Sequence, residues 1–357
     1  TLEYQARERL TDLMWQPVAT AGAVQQVVRD VRPDAVIVDH LAFSARLALV
    51  AAGVPHADVV LGHPSALPVG DEVYGYPPAW PAAFDPDPAA LRALHTLCEQ
   101  VSTSFTAEWN RALNELDPGA RPTENAFAAH GDLLLLNYPA ALADPARPLP
   151  EHAFLGSAVR SEASDPQVEA WLAASADPFV YVSFGSFLSV RSDVLSRVAA
   201  ALRGLGVRAA IATGSADPAE LGELPGDWLV REFLPQVTLL RHAAAAVSHG
   251  GNNSVTEAMT CGVPLVVLPF STDQFAGAAA IERAGFGVAL DPNRASVAEL
   301  RAAVEQVVAV RPAGLAAVAG ELQARPGAER AFAALSAAAP SANTSSRIAA
   351  GSPDAAR

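Results

Sequence analysis

Lysine is absent from the 357-residue chain, and 24 arginines face 38 acidic residues for a formal net charge of −14. The arginines are scattered, as in VRPD and AVRSE, and build no basic stripe. Binding a phosphate backbone needs clustered cations, so a nucleic-acid partner is excluded. Cysteine is nearly as scarce. Cys98 and Cys261 stand far apart without metal-ligand spacing, which argues for small buried hydrophobes in a reducing, cytoplasmic setting. No apolar run approaches the roughly 18 residues of a membrane-spanning helix. The opening TLEYQARERL is charged, unlike a secretory leader. There is also no DxD-like carboxylate pair placed to hold a metal, so no metal and no resident cofactor are expected.

What remains is a globular composition, 51% hydrophobic and 17% charged, in a chain long enough for two domains. From about residue 176, short apolar runs alternate with amphipathic stretches. PFVYVSF, VRAAIAT, WLVREF, AAAVSH, PLVVLPF and GVAL read as buried strands. VLSRVAAALRGLG, PQVTLLRHA, NNSVTEAMTC, DQFAGAAAIERAG and SVAELRAAVEQVVA read as helices. This alternation predicts a parallel, doubly wound α/β sheet, whose ligands sit beyond the carboxyl ends of the strands. The first half is less regular but similar: RPDAVIVDH and PHADVVLG read as strands, LAFSARLALVAAGV as a helix, 88–116 as a long helix and DLLLLN as a strand. Between them lies a Pro-rich loop, 62–86, bearing Tyr74, Tyr76 and Trp80, which either lines an apolar pocket or packs. The expected division is 1–157, a linker at 158–175, 176–338, and a disordered Ala/Ser/Pro-rich tail at 339–357.

The segment SHGGNNSVTEAMTCGVPLVVLPFSTDQ, 248–274, carries the chemistry. Gly250 and Gly251 permit a tight turn and close approach of an anion to the backbone. The helix start at Asn252, Asn253 and Ser254 then offers N–H groups and a favourable dipole. His249 can donate from its ring. Glu257, four residues after Asn253 on the same face, suits sugar hydroxyls better than phosphate. Asp273 and Gln274 open the next helix on the rim of the sheet. They read either as ordinary N-terminal helix residues or as contacts for a hydroxyl-rich ligand.

Taken in order, VYVSFGS (180–186), FLPQVTLL (233–240), HGGNNSVTEA (249–258), GVPLVVLP (262–269) and DQ (273–274) resemble the nucleotide-sugar-dependent UDP-glycosyltransferase superfamily, above all its bacterial natural-product members. The resemblance implies two facing Rossmann-like domains, the GT-B fold, with a donor-binding second domain and an acceptor-binding first one. It implies that Ser186 contacts the donor near the sugar or phosphate and that Pro235 and Gln236 flank the base. His249, Gly250, Gly251, Asn253 and Ser254 then hold the diphosphate, Glu257 the ribose, and Asp273 and Gln274 the sugar. Plant relatives carry tryptophans where this chain has Phe233 and Asn252, so base stacking is not carried over. The implied partners are a nucleotide sugar and a small-molecule acceptor, with a homodimer compatible. A carboxylate reading both ribose hydroxyls favours UDP, whereas the Ala-rich, arginine-only composition of a high-GC genome keeps dTDP open.

The family also uses a His after its first strand as the base, oriented by an Asp that here corresponds to Asp39. Nothing before Asp39 resembles that strand or its His, so the first domain is expected to be incomplete. His40 and His63 are the neighbouring substitutes, each more simply read as a satisfied histidine. The competing readings are a non-catalytic nucleotide-sugar-binding subunit and a nucleotide-sugar epimerase of similar shape.

Overall fold

The computed structural model describes residues 13, 14, 16–159, 161–185, 191–271 and 273–338. Its chain builds two parallel sheets. The first has four strands in simple order, β1 (Ile37–Asp39), β2 (Ala57–Val60), β3 (Leu133–Leu136) and β4 (His152–Phe154). The second has six, β5 (Phe179–Ser183), β6 (Arg208–Ala212), β7 (Leu229–Arg231), β8 (Ala245–Ser248), β9 (Leu265–Val267) and β10 (Gly287–Ala289), ordered β10-β9-β8-β5-β6-β7. Every pairing is parallel. The reversal of order between β5 and β8 is the switch point at which such sheets open a crevice for ligands.

Burial explains why these segments are strands. All residues of β3, β5, β8 and β9 are buried, as expected for strands covered on both faces. In the first half the covering helices are α1 (Pro17–Val31), α2 (Phe43–Ala51) and α3 (Pro88–Leu116). Asp87 caps α3 by accepting from the N–H groups of Ala89 and Ala90. Next come α4 (Pro166–Ala173), α5 (Ser192–Leu205), α6 (Gln236–Leu240), α7 (Asn252–Cys261), α8 (Asp273–Arg283) and α9 (Val297–Ala309). Gly206 and Gly262 end α5 and α7 in the left-handed conformation. Among the described residues no single helix is long and apolar enough to cross a membrane.

Two features differ from the expected division. The segment read as linker contains α4, whose Val168 is fully buried in a hydrophobic cluster that takes residues from both sheets. Beyond α9 lie α10 (Ala313–Ala324) and α11 (Gly327–Ala338), and α11 returns to the first domain. Its Ala331, Ala334 and Leu335 pack on Ala57, Leu133, Leu135 and Leu155 of the first sheet. Small side chains at one-turn spacing let that helix lie close to the strands. The expected tail at 339–357 lies outside the described residues.

Candidate functional site

The turn after β8 is built from side chains that leave the backbone little choice. Gly250 has φ 81°, and a Cβ there would meet Val267 Cγ1 at 2.7 Å. Gly251 has an ordinary φ, but its Cβ would lie 2.3 Å from His249 Nε2. The His249 ring therefore lies over Gly251 and against Gly185, whose Cβ position is 3.0 Å from Cε1. Buried Ser248 accepts the Gly250 N–H through Oγ at 3.2 Å, and Ser183 accepts that of Gly185 at 3.3 Å. Two strand ends thus close on one imidazole.

Helix α7 starts directly after this turn without a side-chain cap. Its first N–H groups have no intrahelical partner by construction. They border a cleft of about 320 Å³ whose walls include His249, Gly251, Asn253, Ser254, Gln236 and Phe233. Uncapped amides, a helix dipole and an imidazole converge on one hollow, an arrangement suited to an anion.

Four residues of the predicted set cluster deeper in the wall. Gln236 Nε2 donates to Glu257 Oε2 at 2.5 Å and to Ser254 Oγ at 3.5 Å, and Tyr181 Oη donates to Gln236 Oε1 at 3.3 Å. Pro235 is the N-cap residue of α6 that sets this glutamine in place. Glu257 is only 7% exposed and stands behind Gln236. Phe233, by contrast, is 67% exposed at the edge of the cleft. Tyr181 and Glu232 line it as well, and sequence reading missed both. Ser186 lies outside the described residues.

The remaining predicted contacts sit where the domains meet. Asp273 Oδ2 accepts the backbone N–H of His63 at 3.4 Å, across the crevice. Gln274 is buried, and its Oε1 accepts from the N–H groups of Phe270 and Ser271 at 2.9 and 3.2 Å, so it shapes the loop before α8. For Asn252 the sequence points to a backbone N–H at the helix start and a departure from the plant pattern, with no role for the side chain. Its Nδ2 donates at 2.8 Å to both Leu61 O and Asn137 O, at the carboxyl ends of β2 and β3. It fastens the start of α7 to the first domain.

Asp39 ends β1, and its Oδ1 accepts the Leu41 N–H at 2.9 Å. Neither substitute histidine is among the walls of the cleft at α7. His40 is 1% exposed and its Nδ1 meets Asp58 Oδ2 at 3.0 Å. Asp58 is fully buried and also faces Arg46 Nε at 3.4 Å and His56 Nε2 at 3.7 Å. Arg46 Nη1 donates to His40 O at 2.9 Å, and Nη2 donates to Ala129 O. Burial pushes His40 below its ordinary value, against the hydrogen bond to Asp58. Burial alone would raise Asp58, but the His40 hydrogen bond and the Arg46 charge outweigh it and lower the carboxyl. His63 Nδ1 accepts the Ser65 N–H at 3.1 Å, which places the proton of the neutral ring on Nε2, and burial holds its value down to about 3. Tyr74 stacks on Phe127 at 3.9 Å, Tyr76 meets His95 at 5.0 Å, and Trp80 meets Phe275 at 4.5 Å, so all three loop aromatics pack.

The family model described as "UDP-glucoronosyl and UDP-glucosyl transferase" matches residues 93–311. The "NDP-glycosyltransferase YjiC" of Bacillus subtilis is 32% identical over 131 residues, 36% of this chain and 33% of that protein. The chain thus spans about a third of the length of such curated relatives. Among solved structures, the glycotransferase of kitacinnamycin superposes with TM-score 0.66 at 23% identity, covering 89% of this chain and 79% of that one. The spinosyn rhamnosyltransferase SpnG, solved with thymidine diphosphate, superposes with TM-score 0.67 at 18% identity, covering 94% and 81%. The two-sheet architecture is the GT-B fold of these proteins.

Proposed function

As the chain belongs to the UDP-glucoronosyl and UDP-glucosyl transferase family, we propose that it transfers a sugar from a nucleoside-diphosphate donor to a hydroxyl of a small, largely apolar acceptor, with inversion at the anomeric carbon. The observation that carries the reading is the uncapped start of α7 beside the His249 ring locked between Gly185 and Gly251. The diphosphate lies on the N–H groups of Asn252, Asn253 and Ser254, with His249 donating to an oxygen. The acceptor oxygen bonds to the anomeric carbon as the bond from that carbon to the diphosphate oxygen breaks. Negative charge grows on the leaving group, where fixed backbone donors stabilise it without reorganising. The hydroxyl proton leaves to a base, and Asp39, at the carboxyl end of β1, is the carboxylate that orients that base.

The donor is a UDP- or dTDP-sugar. Uridine has a ribose 2′ hydroxyl that thymidine lacks, while thymine adds a 5-methyl group; reading the hydroxyl falls to Glu257, whose carboxylate is engaged by Gln236. Asp273 takes the sugar hydroxyls, exchanging its long contact with the His63 N–H. Calorimetry with UDP and dTDP tests the site. His249→Ala is expected to weaken either nucleotide by about 1–3 kcal/mol, the scale of a hydrogen bond to a charged group. A folded protein that binds neither nucleotide, or a variant that binds both as tightly as the parent, refutes the reading.

A further inference from the structure

Helix α6 begins without a cap of its own. Pro235 holds the N-cap position and has no side-chain acceptor, so the first-turn N–H groups of Val237 and Thr238 need partners from elsewhere. Glu162, 75 residues back in the chain, supplies them. Its Oε1 accepts the Val237 N–H at 3.2 Å, and its Oε2 accepts the Thr238 N–H at 2.8 Å and the Thr238 hydroxyl at 3.0 Å. One half-buried carboxylate thus takes three donors from a single turn. Hydrogen bonds to an ionised acceptor are stronger than neutral ones, and three of them leave the turn little freedom.

Glu162 belongs to the segment that carries the chain from the first domain into the second. Four residues earlier, the Ala158 N–H donates to Asn137 Oδ1 at 3.1 Å, just past the end of β3. The crossing is therefore gripped by the first domain at Ala158 and by α6 at Glu162. On the same turn of α6 stands Gln236, the first residue of the helix. Its side chain lies in the wall of the cleft, donating to Glu257 and Ser254 and accepting from Tyr181. Five residues are too few for a helix to hold itself. Buried Leu239 and Leu240 seat α6 in the core, and Glu162 supplies the polar part of its support.

We propose that Glu162 is a positioning residue for the nucleoside end of the donor: it holds the first turn of α6, and that turn aims Gln236 at the base and ribose. This role rests on the nucleotide-binding reading and adds a link from the interdomain crossing to the cleft wall that bypasses the His249 turn. Titration calorimetry with UDP on the full chain tests it. Glu162→Ala is expected to weaken UDP about three- to tenfold, the scale of one net hydrogen bond. Because the effect runs through Gln236, Glu162→Ala/Gln236→Ala is expected to bind as Gln236→Ala alone does, whereas the losses from Glu162→Ala and His249→Ala multiply. A carboxylate that served stability alone would lower the unfolding midpoint and leave UDP affinity unchanged. Glu162→Gln keeps the shape and one acceptor; it is expected to bind UDP less tightly than the parent, and it carries the test should the alanine variant not fold. Parent-like UDP affinity in the folded Glu162 variants, or Glu162 and Gln236 losses that multiply, overturns the positioning role and leaves the nucleotide reading standing. A parent chain that binds no UDP defeats both.

Discussion

Gly251→Ala separates the two reasons a glycine can be required. At 251 the backbone stands at φ −60° and ψ 140°, a conformation open to alanine. Conformational strain is therefore not the issue. The new methyl would lie 2.3 Å from His249 Nε2 and 2.7 Å from Cε1, roughly 1 Å short of the 3.4 Å at which ordinary contact begins. Toward Gly185 the ring has only the room of the missing side chain, since a Cβ built there would stand 3.0 Å from Cε1. It must swing out of the cleft and lose the phosphate contact proposed for it. Gly251→Ala should then cost UDP binding what His249→Ala costs, about 1–3 kcal/mol or about 5- to 150-fold in Kd. The sharper reading comes from the double variant. If the methyl acts through the ring, His249→Ala/Gly251→Ala binds UDP as His249→Ala alone does, so the two losses fail to add. Titration calorimetry on the parent, both single variants and the double variant gives the coupling. Parent-like affinity in Gly251→Ala, or fully additive losses, refutes the ring-over-glycine argument.

Asn252 and His63 yield two further expectations. Asn252→Ala removes both bonds to the first domain, a loss of about 1–3 kcal/mol before relief of the buried, partnerless Oδ1. Asn252→Asp should be worse despite the favourable helix dipole, because it turns a carboxylate onto two carbonyls. Urea unfolding should rank parent above Ala above Asp, and Asp equal to the parent defeats the fastening role. His63 has its folded value depressed to about 3, so its contribution is present above about pH 6.5 and is lost as pH falls toward 3. Between about pH 6.5 and 5.5 few unfolded carboxylates take up protons. There His63→Gln should reduce the slope of stability against pH by up to about 1.4 kcal/mol per unit, and an unchanged slope counts against the buried neutral ring.

The second domain was readable because its signals are local. A β-α alternation, a Gly-Gly turn and a helix start are contiguous in sequence, and the turn appears where HGGNNS places it. The pairing of Gln236 with Glu257 was not readable, since it spans a strand and a helix boundary. Nor was the bond set of Asn252, whose acceptors lie 191 and 115 residues away. The buried cluster of His40, Arg46, His56 and Asp58 did leave a trace. An aspartate in the middle of the apolar strand PHADVVLG must find partners or be costly. The histidines flanking the strands and the arginine one turn into α2 were the charges within reach. The return of α11 to the first sheet left no such trace, because an Ala-rich helix fits many surfaces.

Helix α8 shows why the donor site cannot be assigned wholly to one domain. It opens with Asp273, the residue proposed at the sugar end, yet the first domain holds it along its length. The His63 N–H meets Asp273, Trp80 and Phe84 pack on Phe275, and the Ala82 N–H donates to Glu282 at 2.9 Å. Arg283 closes the far end on Leu142 O. The anion-binding turn, by contrast, takes its glycines, its histidine and its Ser183 and Ser248 acceptors from the second sheet alone. On the proposed reading, nucleotide binding thus draws on a turn built within one domain. The aim of Asp273 depends, on the same reading, on the Pro-rich loop of the other domain, which carries His63. A shift of that loop would move the partner of the carboxylate proposed to read the sugar.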